Sequence, residues 1–301
     1  MHDFPWLAGF RFTPVDVACG PGEVAAWLNG QFGEQVSPEA LGASLTFVTA
    51  PEALSALAFE ESCASGRIPT RDNLHDAYNG MVWLHLPRFK QALTLMHLSQ
   101  QQHADAVGAN GRTPVRDALT VLDESGAVLL CEDSALMLAL TEHHWPELFM
   151  RRRLDWGRDC ALVLLGHGLM EALQVLPHPG LCAKVLPVLV PRGQLGAMAS
   201  DWAVLDDLLV QSVALVDRAR GLSPLPVLGV PGWWALNEAP GFYDDARFFR
   251  AKPTVANQSS HQRLAFQWDG TTLRPWKRAG QPLPCANKGE ESPDSSEQGA
   301  G

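Results

Sequence analysis

The residues best suited to chemistry fall in a few short stretches. At 69–80 the chain reads PTRDNLHDAYNG, which sets Arg71, Asp72, Asn73, His75, Asp76 and Asn79 just ahead of an apolar run. On a helix, His75 and Asn79 are i, i+4 neighbours, as are Asp72 and Asp76. A polar stripe then lies beside an apolar one, close to a helix N-terminus that already favours anions. The competing reading is structural, with Asp72 as a cap, His75 as a bonded core histidine and Asn79 bracing a loop. The second stretch is GHGLMEAL, where His167 and Glu171 have the spacing of two ligands on one helical face. The H-E-x-x-H pattern is absent, so one His and one Glu supply half a metal site. The structural alternative is a helix packed tightly through Gly166 and Gly168, with Glu171 paired to an Arg.

Other stretches offer charge without a clear task. RDALTVLDESG carries Arg116, Asp117, Asp123 and Glu124. The last two read as turn residues, placed there for local reasons. Arg116 and Asp117 precede the expected strand and could enter a pocket from the sheet end. FMRRRLDWGRD gathers Arg151, Arg152, Arg153 and Arg158, either forks for an anion or a basic helix end balancing the dipole. In PLPVLGVPGWW, Trp233 and Trp234 either seal the core or wall a pocket. The adjacent His-Asp pair at 75–76 is the kind that holds metal in phosphohydrolases. Those enzymes also use an earlier His, and here only His2 precedes His75. There is no G-x-S-x-G, no Cys next to a His, no G-x-G-x-x-G and no P-loop.

The elements that must position these groups are mostly helical. Helices are expected at 22–33, from Pro51 to Gly66, and through NLHDAYNGMVWLHL with Asp72 as its cap. Pro87 ends or kinks that helix, and another follows. Residues 45–50 read as a strand, and 118–131 as a β-hairpin. SALMLALTEHHWPELFMRR is an amphipathic helix. CALVLL at 160–165 reads as a strand turning at Gly166 into a helix, or else as part of one continuous helix. AKVLPVLV is a strand, and 198–221 the clearest helix. The fold class that follows is α+β: one helix-rich domain with a β-hairpin and a small mixed sheet. An N-terminal arm with a short helix covers 1–40, the globular domain 41–252, and an extended, largely disordered tail 253–301.

Composition narrows the function classes. The chain has 301 residues, 46% hydrophobic and 19% charged, enough for a sizeable core. A formal net charge of −10 argues against a dominant nucleic-acid or anionic-membrane surface, leaving room only for a local basic patch. The six cysteines show no C-x-x-C spacing. Scattered cysteines and a start without a basic-then-apolar leader predict a cytoplasmic protein. No apolar run reaches the length of a bilayer span. Oligomeric state has no signature.

IPTRDNLHDAYNGMVWLHLPRFK, RTPVRDALTVLDESGAVLL, GHGLMEAL, and PLPVLGVPGWW followed by FYDDARFFR resemble, in that order, the proteobacterial domain-of-unknown-function family 3025. The resemblance covers roughly residues 40 to 250. It implies a bacterial protein in which these segments form one domain. It implies no activity and no catalytic residue.

Two functional expectations follow. In the first, the chain is a hydrolase of a small anionic phosphate or acyl substrate. His75 or His167 serves as general base, Asp76 or Glu171 orients it, Arg71 or Arg116 holds the anion, and Asn79, Asp117 and Trp233 line the cleft. A variant places a divalent metal on His75, Asp76, His167 and Glu171. In the second, the same groups brace loops of a non-catalytic module that binds a small ligand or a protein. The separation of His75 from His167 discriminates between them.

Overall fold

The computed structural model describes residues 4–14, 20–32, 45–106, 112–253 and 263–277. Helix predominates in an α+β arrangement of one domain. The first layer holds α1 (Glu23–Gly30), β1 (Thr46–Thr49), α2 (Ala56–Ala64) and β2 (Arg67–Thr70), with β1 and β2 paired in parallel. The helices α3 (Leu74–His85), α4 (Pro87–Ala106) and α5 (Pro114–Ser125) follow. Then come β3 (Gly126–Cys131), α6 (Ser134–Thr141), β4 (Cys160–Leu164), α7 (His167–Val175) and β5 (Cys182–Leu189). The helices α8 (Leu195–Ser200) and α9 (Trp202–Val213) lead to β6 (Ser223–Pro226), β7 (Phe266–Trp268) and β8 (Leu273–Pro275).

The larger sheet runs β4-β3-β5-β7-β8, with β6 pairing β5 beside β7. β3 is antiparallel to β4 and parallel to β5. All six residues of β3, GAVLLC, are buried, as a central strand covered on both faces requires. CALVLL is thus a strand that turns at Gly166 into α7, the first of the two readings of that segment.

The expected hairpin at 118–131 is a helix and a strand. Pro114 sits in the first turn, Thr113 Oγ1 accepts from the Arg116 N–H at 3.2 Å, and Ala118, Leu119 and Leu122 recur on one buried face. The helix turns straight into β3 at Gly126, where a side chain would strike the Leu122 carbonyl. Other boundaries shift for similar reasons. The helix expected from Pro51 begins at Ala56, because Ser55 Oγ caps it. The helix expected over 198–221 is two, α9 being restarted by the Asp201 cap. The segment after α6 is broken at His143, whose φ of 56° is left-handed, and resumes as one wide helical turn at Pro146–Arg151. Beyond 252, residues 263–277 return to the sheet as the antiparallel pair β7–β8, burying Phe266, Trp268 and Leu273. Of the expected disordered tail, 254–262 and 278–301 lie outside the described residues.

Helix α3 lies between two cores. Tyr78, Met81 and Val82 join the main core around the sheet, while Ala77, Trp83 and Leu84 join a smaller one with Leu28, Phe47 and Ile68. It is therefore buried nearly all round, and beyond its first turn its polar residues Asn79 and His85 are buried as well. The N-terminal arm packs on the main core through Trp6, Leu7 and Phe10.

Candidate metal centre

Four helices supply this site. Asn73 Oδ1 accepts from the Asp76 N–H at 2.8 Å and caps α3, so Asn73, and not Asp72, starts this helix. Asp72 faces the other way and accepts from Gly22 N–H at 2.9 Å and Val24 N–H at 3.3 Å, capping α1 instead. With α3 started at Leu74, His75 stands in its first turn. At the start of α7, His167 stands in the same relation to the sheet, directly after β4. The two rings meet at 4.4 Å between centroids, inclined at 73°, with Nε2 to Nε2 at 3.0 Å.

A third group arrives from the end of α5. Glu124 Oε1 is 3.7 Å from His167 Nε2, and ligand atoms of His75, Glu124 and His167 all lie within 4.8 Å of one another. Two glycines permit this approach. A Cβ on Gly166 would sit 2.5 Å from Ser125 backbone atoms, and one on Gly168 would sit 2.5 Å from Glu124 Oε2 and 3.6 Å from His75 Cε1. At 166 the atoms in the way are backbone, so with a side chain there α7 could not begin against the end of α5; at 168 the nearest is the movable end of Glu124.

Of the two outer nitrogens, that of His75 is hydrogen-bonded, while His167 Nδ1 is buried without a hydrogen-bond partner. His75 Nδ1 is 2.9 Å from Glu171 Oε2. It donates that hydrogen bond to the carboxylate, and in the neutral tautomer that does so the lone pair is on Nε2, toward His167. Asp123 Oδ1 lies 3.9 Å from His167 Nδ1 and is ion-paired to Lys90, whose side chain is buried in α4. Burial pulls His167 down to about 4, with Asp123 opposing and Lys90 adding to the fall, so the ring is neutral at physiological pH. Burial also raises Glu124 above the usual carboxylate range, although His75 opposes it. For Asp123, burial works against the charge, but Lys90 and His167 outweigh it and hold the carboxyl below its usual value.

This constellation has the composition of a three-ligand divalent-metal site. Two imidazole nitrogens each about 2.1 Å from one ion sit roughly 3.0–3.4 Å apart, depending on the angle between them. Glu124 keeps 47% of its side-chain exposure and His75 29%, so an ion held by the three groups would be within reach of solvent. A carboxylate on the far nitrogen of each ring, bonded for His75 and close for His167, is the outer arrangement that fixes metal-binding imidazoles.

Several expected site residues are placed otherwise. Asp76 orients neither histidine. It accepts from Arg71 through the backbone N–H at 2.7 Å and the guanidinium at 2.8 and 3.2 Å. Arg71 is fixed at the rim, where Glu124 is near enough for its charge to be felt. Asn79 is buried one turn beyond His75, and its Oδ1 makes no hydrogen bond. Arg116 lies two turns before Asp123 on α5, bonded to Gln101, and Asp117 pairs with Arg112 at 3.2 Å. Both are thus about 10 Å of helix away from the site end of α5. Trp233 packs on Trp6 at 6.4 Å and closes the core. The arginines at 151–158 do not gather for an anion. Arg151 pairs with Glu147, Arg152 with Asp133 and Asp155, Arg153 with Glu238, and Arg158 with Asp155 and Asp159.

Lys90 escapes the sequence reading, which sets Asp123 and Glu124 aside as turn residues. The signal that finds the last two is the helical spacing of Val115, Ala118, Leu119 and Leu122 behind Thr113-Pro114, which turns an apparent hairpin tip into a helix end.

Residues 45–253 match the family described as protein of unknown function (DUF3025). The chain belongs to this family. Within the DUF3025 segment lie His75, Lys90, Asp123, Glu124, His167 and Glu171, the whole of the site just described. No curated protein and no solved structure matches the chain. Among the described residues, no helix is long and apolar enough to cross a membrane.

Proposed function

We propose that this DUF3025 protein is a metal-dependent hydrolase of a small anionic ester, its ion held by His75, His167 and Glu124. The observation that carries the reading is the convergence of these three donors, with His75 Nδ1 already committed to Glu171. A divalent ion there supplies a Lewis acid and lowers the pKa of a bound water toward neutrality. The chain's own groups do the rest. Glu171 keeps His75 in the tautomer whose Nε2 can bind. Glu124, at the solvent side, leaves a position open for water and for the ester oxygen. Arg71, braced by Asp76, offers its outer guanidinium edge to the substrate's phosphate or carboxylate. The proposal places the protein in the reducing cytoplasm of a proteobacterium. Support comes from the free thiols of Cys63, Cys131, Cys160 and Cys182, two of which face each other unlinked across β3 and β4.

The test is elemental analysis of the purified protein and of a His75→Ala/His167→Ala variant, followed by assays with p-nitrophenyl phosphate and p-nitrophenyl acetate. The expected result is one divalent ion per chain, absent from the variant, and hydrolysis of one substrate that a chelator abolishes. No ion bound at micromolar concentration ends the metal reading. An ion bound without turnover of either ester, whatever the metal, favours a non-catalytic ligand-binding module.

A further inference from the structure

Lys90 is a lysine in an unusual place. It sits in the first turns of α4, 4% exposed, its ammonium 5.7 Å from the centroid of the Trp83 ring and ion-paired to Asp123. An apolar pair of the same size is often as stable as a buried ion pair, so stability alone does not account for it. Its position does suggest a task. The Asp123 oxygen bonded to Lys90 is the same Oδ1 that lies 3.9 Å from His167 Nδ1. On the opposite ring, Glu171 already bonds His75 Nδ1. Asp123 is therefore the counterpart of Glu171, one short closure away from the outer nitrogen of the second imidazole.

We propose that Lys90 is a positioning residue that aims Asp123 at His167 and keeps it out of the ion's own ligand shell. The inference rests on the metal centre proposed above. Without the ammonium, the Asp123 carboxylate has no fixed partner in its buried surroundings. It then either swings toward the ion, neighbouring Glu124 as it does in sequence, or moves away from His167 Nδ1, a buried nitrogen without a hydrogen-bond partner to which Asp123 is the carboxylate at 3.9 Å. With the ammonium, Asp123 has a set orientation and the open position of the ion stays open for water and substrate.

The test uses the metal-free full chain and cobalt(II), whose visible bands report coordination number. Wild type, Lys90→Met, Asp123→Asn and Lys90→Met/Asp123→Asn are titrated for affinity and spectrum, and the melting temperature of each metal-free protein is measured. Each single variant is expected to bind cobalt about 10–100-fold more weakly, the range for lost outer-shell partners. In Lys90→Met the bands shift as well. The double variant should bind like Asp123→Asn, because Lys90 acts through Asp123. A Lys90→Met protein that melts lower but keeps wild-type affinity and bands has lost only a structural contact, and the inference is overturned. A double variant whose loss is the product of the two single losses overturns it too. Should Lys90→Met not fold, the double variant, which removes both charges together, is compared with Asp123→Asn alone, and a difference between them has the same consequence. Wild type that fails to take up cobalt instead overturns the metal centre itself, so the two failures are distinct.

Discussion

Substituting Gly168 with alanine separates the metal centre from the fold, because the two should respond in different directions. The new Cβ would stand 2.5 Å from Glu124 Oε2, 3.2 Å from the Glu124 carbonyl oxygen and 3.6 Å from His75 Cε1. The first distance is not tolerable, and the group that can yield is the end of a half-exposed glutamate. Glu124 swings into solvent at little cost. A helical glycine replaced by alanine gains up to about 1 kcal/mol, and the close approach to the carbonyl offsets part of this. Gly168→Ala should therefore unfold in urea within about 1 kcal/mol of wild type. The proposed metal centre, by contrast, would lose one of its three ligands, and the only carboxylate among them. Loss of an outer-shell partner costs 10–100-fold in affinity, so loss of a ligand should cost at least about 100-fold, or roughly 3 kcal/mol. Calorimetric titration of the metal-free protein with zinc, beside Glu124→Ala as the reference for a missing ligand, measures this. Gly168→Ala and Glu124→Ala should weaken zinc alike. If Gly168→Ala is stable and binds zinc as wild type does, Glu124 is not a ligand and the reasoning from glycine spacing to site fails.

Two further outcomes follow from neighbouring residues. Asp72→Ala should cost about 1 kcal/mol through the loss of the α1 cap and leave zinc affinity unchanged, and a loss of zinc binding would contradict the assignment of Asp72 to α1. Asp206 accepts from the Arg88 and Phe89 N–H groups at 3.0 and 2.7 Å, yet burial raises its carboxyl from 3.8 to about 6. Between those values the folded protein keeps a proton that the unfolded chain has released, so stability falls as pH rises from about 4 to about 6, by roughly 2–3 kcal/mol. Asp206→Asn should lack this slope, so the difference between the two urea-stability curves should change by about that amount between about pH 4 and 6, and parallel curves would show that Asp206 does not hold the proton.

The local signals in this sequence were informative about elements and uninformative about which elements meet. Strand β4 turning into α7 at a glycine, the helix holding His75, and the strand AKVLPVLV are all legible, because each is written in periodicity, caps and breakers within a dozen residues. Residues 118–131 were misread because Asp-Glu-Ser-Gly is turn chemistry in isolation. The same four residues also suit a helix end that leads straight into a strand, and only the Thr113-Pro114 start upstream decides. That error hid Asp123 and Glu124 in a turn. Asp72 and Asp76 share a helical spacing with the site residues, yet one caps α1 and the other clamps Arg71, since a carboxylate near several N–H groups goes where the backbone leaves donors unpaired.

The i, i+4 pairs that drew attention in the sequence, His75 with Asn79 and His167 with Glu171, do not act as ligand pairs on one helix. His75 takes its outer partner from α7 and its inner neighbours from α5 and α7, so each ring is completed by a different helix. Such a site depends on the packing of three helix ends, and packing is set by contacts that periodicity cannot locate. What the chain does record is the permission for that packing. Glycines at 126, 166 and 168 stand where α5, β3 and α7 come closest; a side chain at 126 or 166 would strike backbone, and one at 168 would displace the Glu124 carboxylate. In a helix-rich chain, glycines clustered at element boundaries on either side of acidic and histidine residues therefore mark where distant polar groups can be drawn together more directly than the spacing of the polar groups themselves.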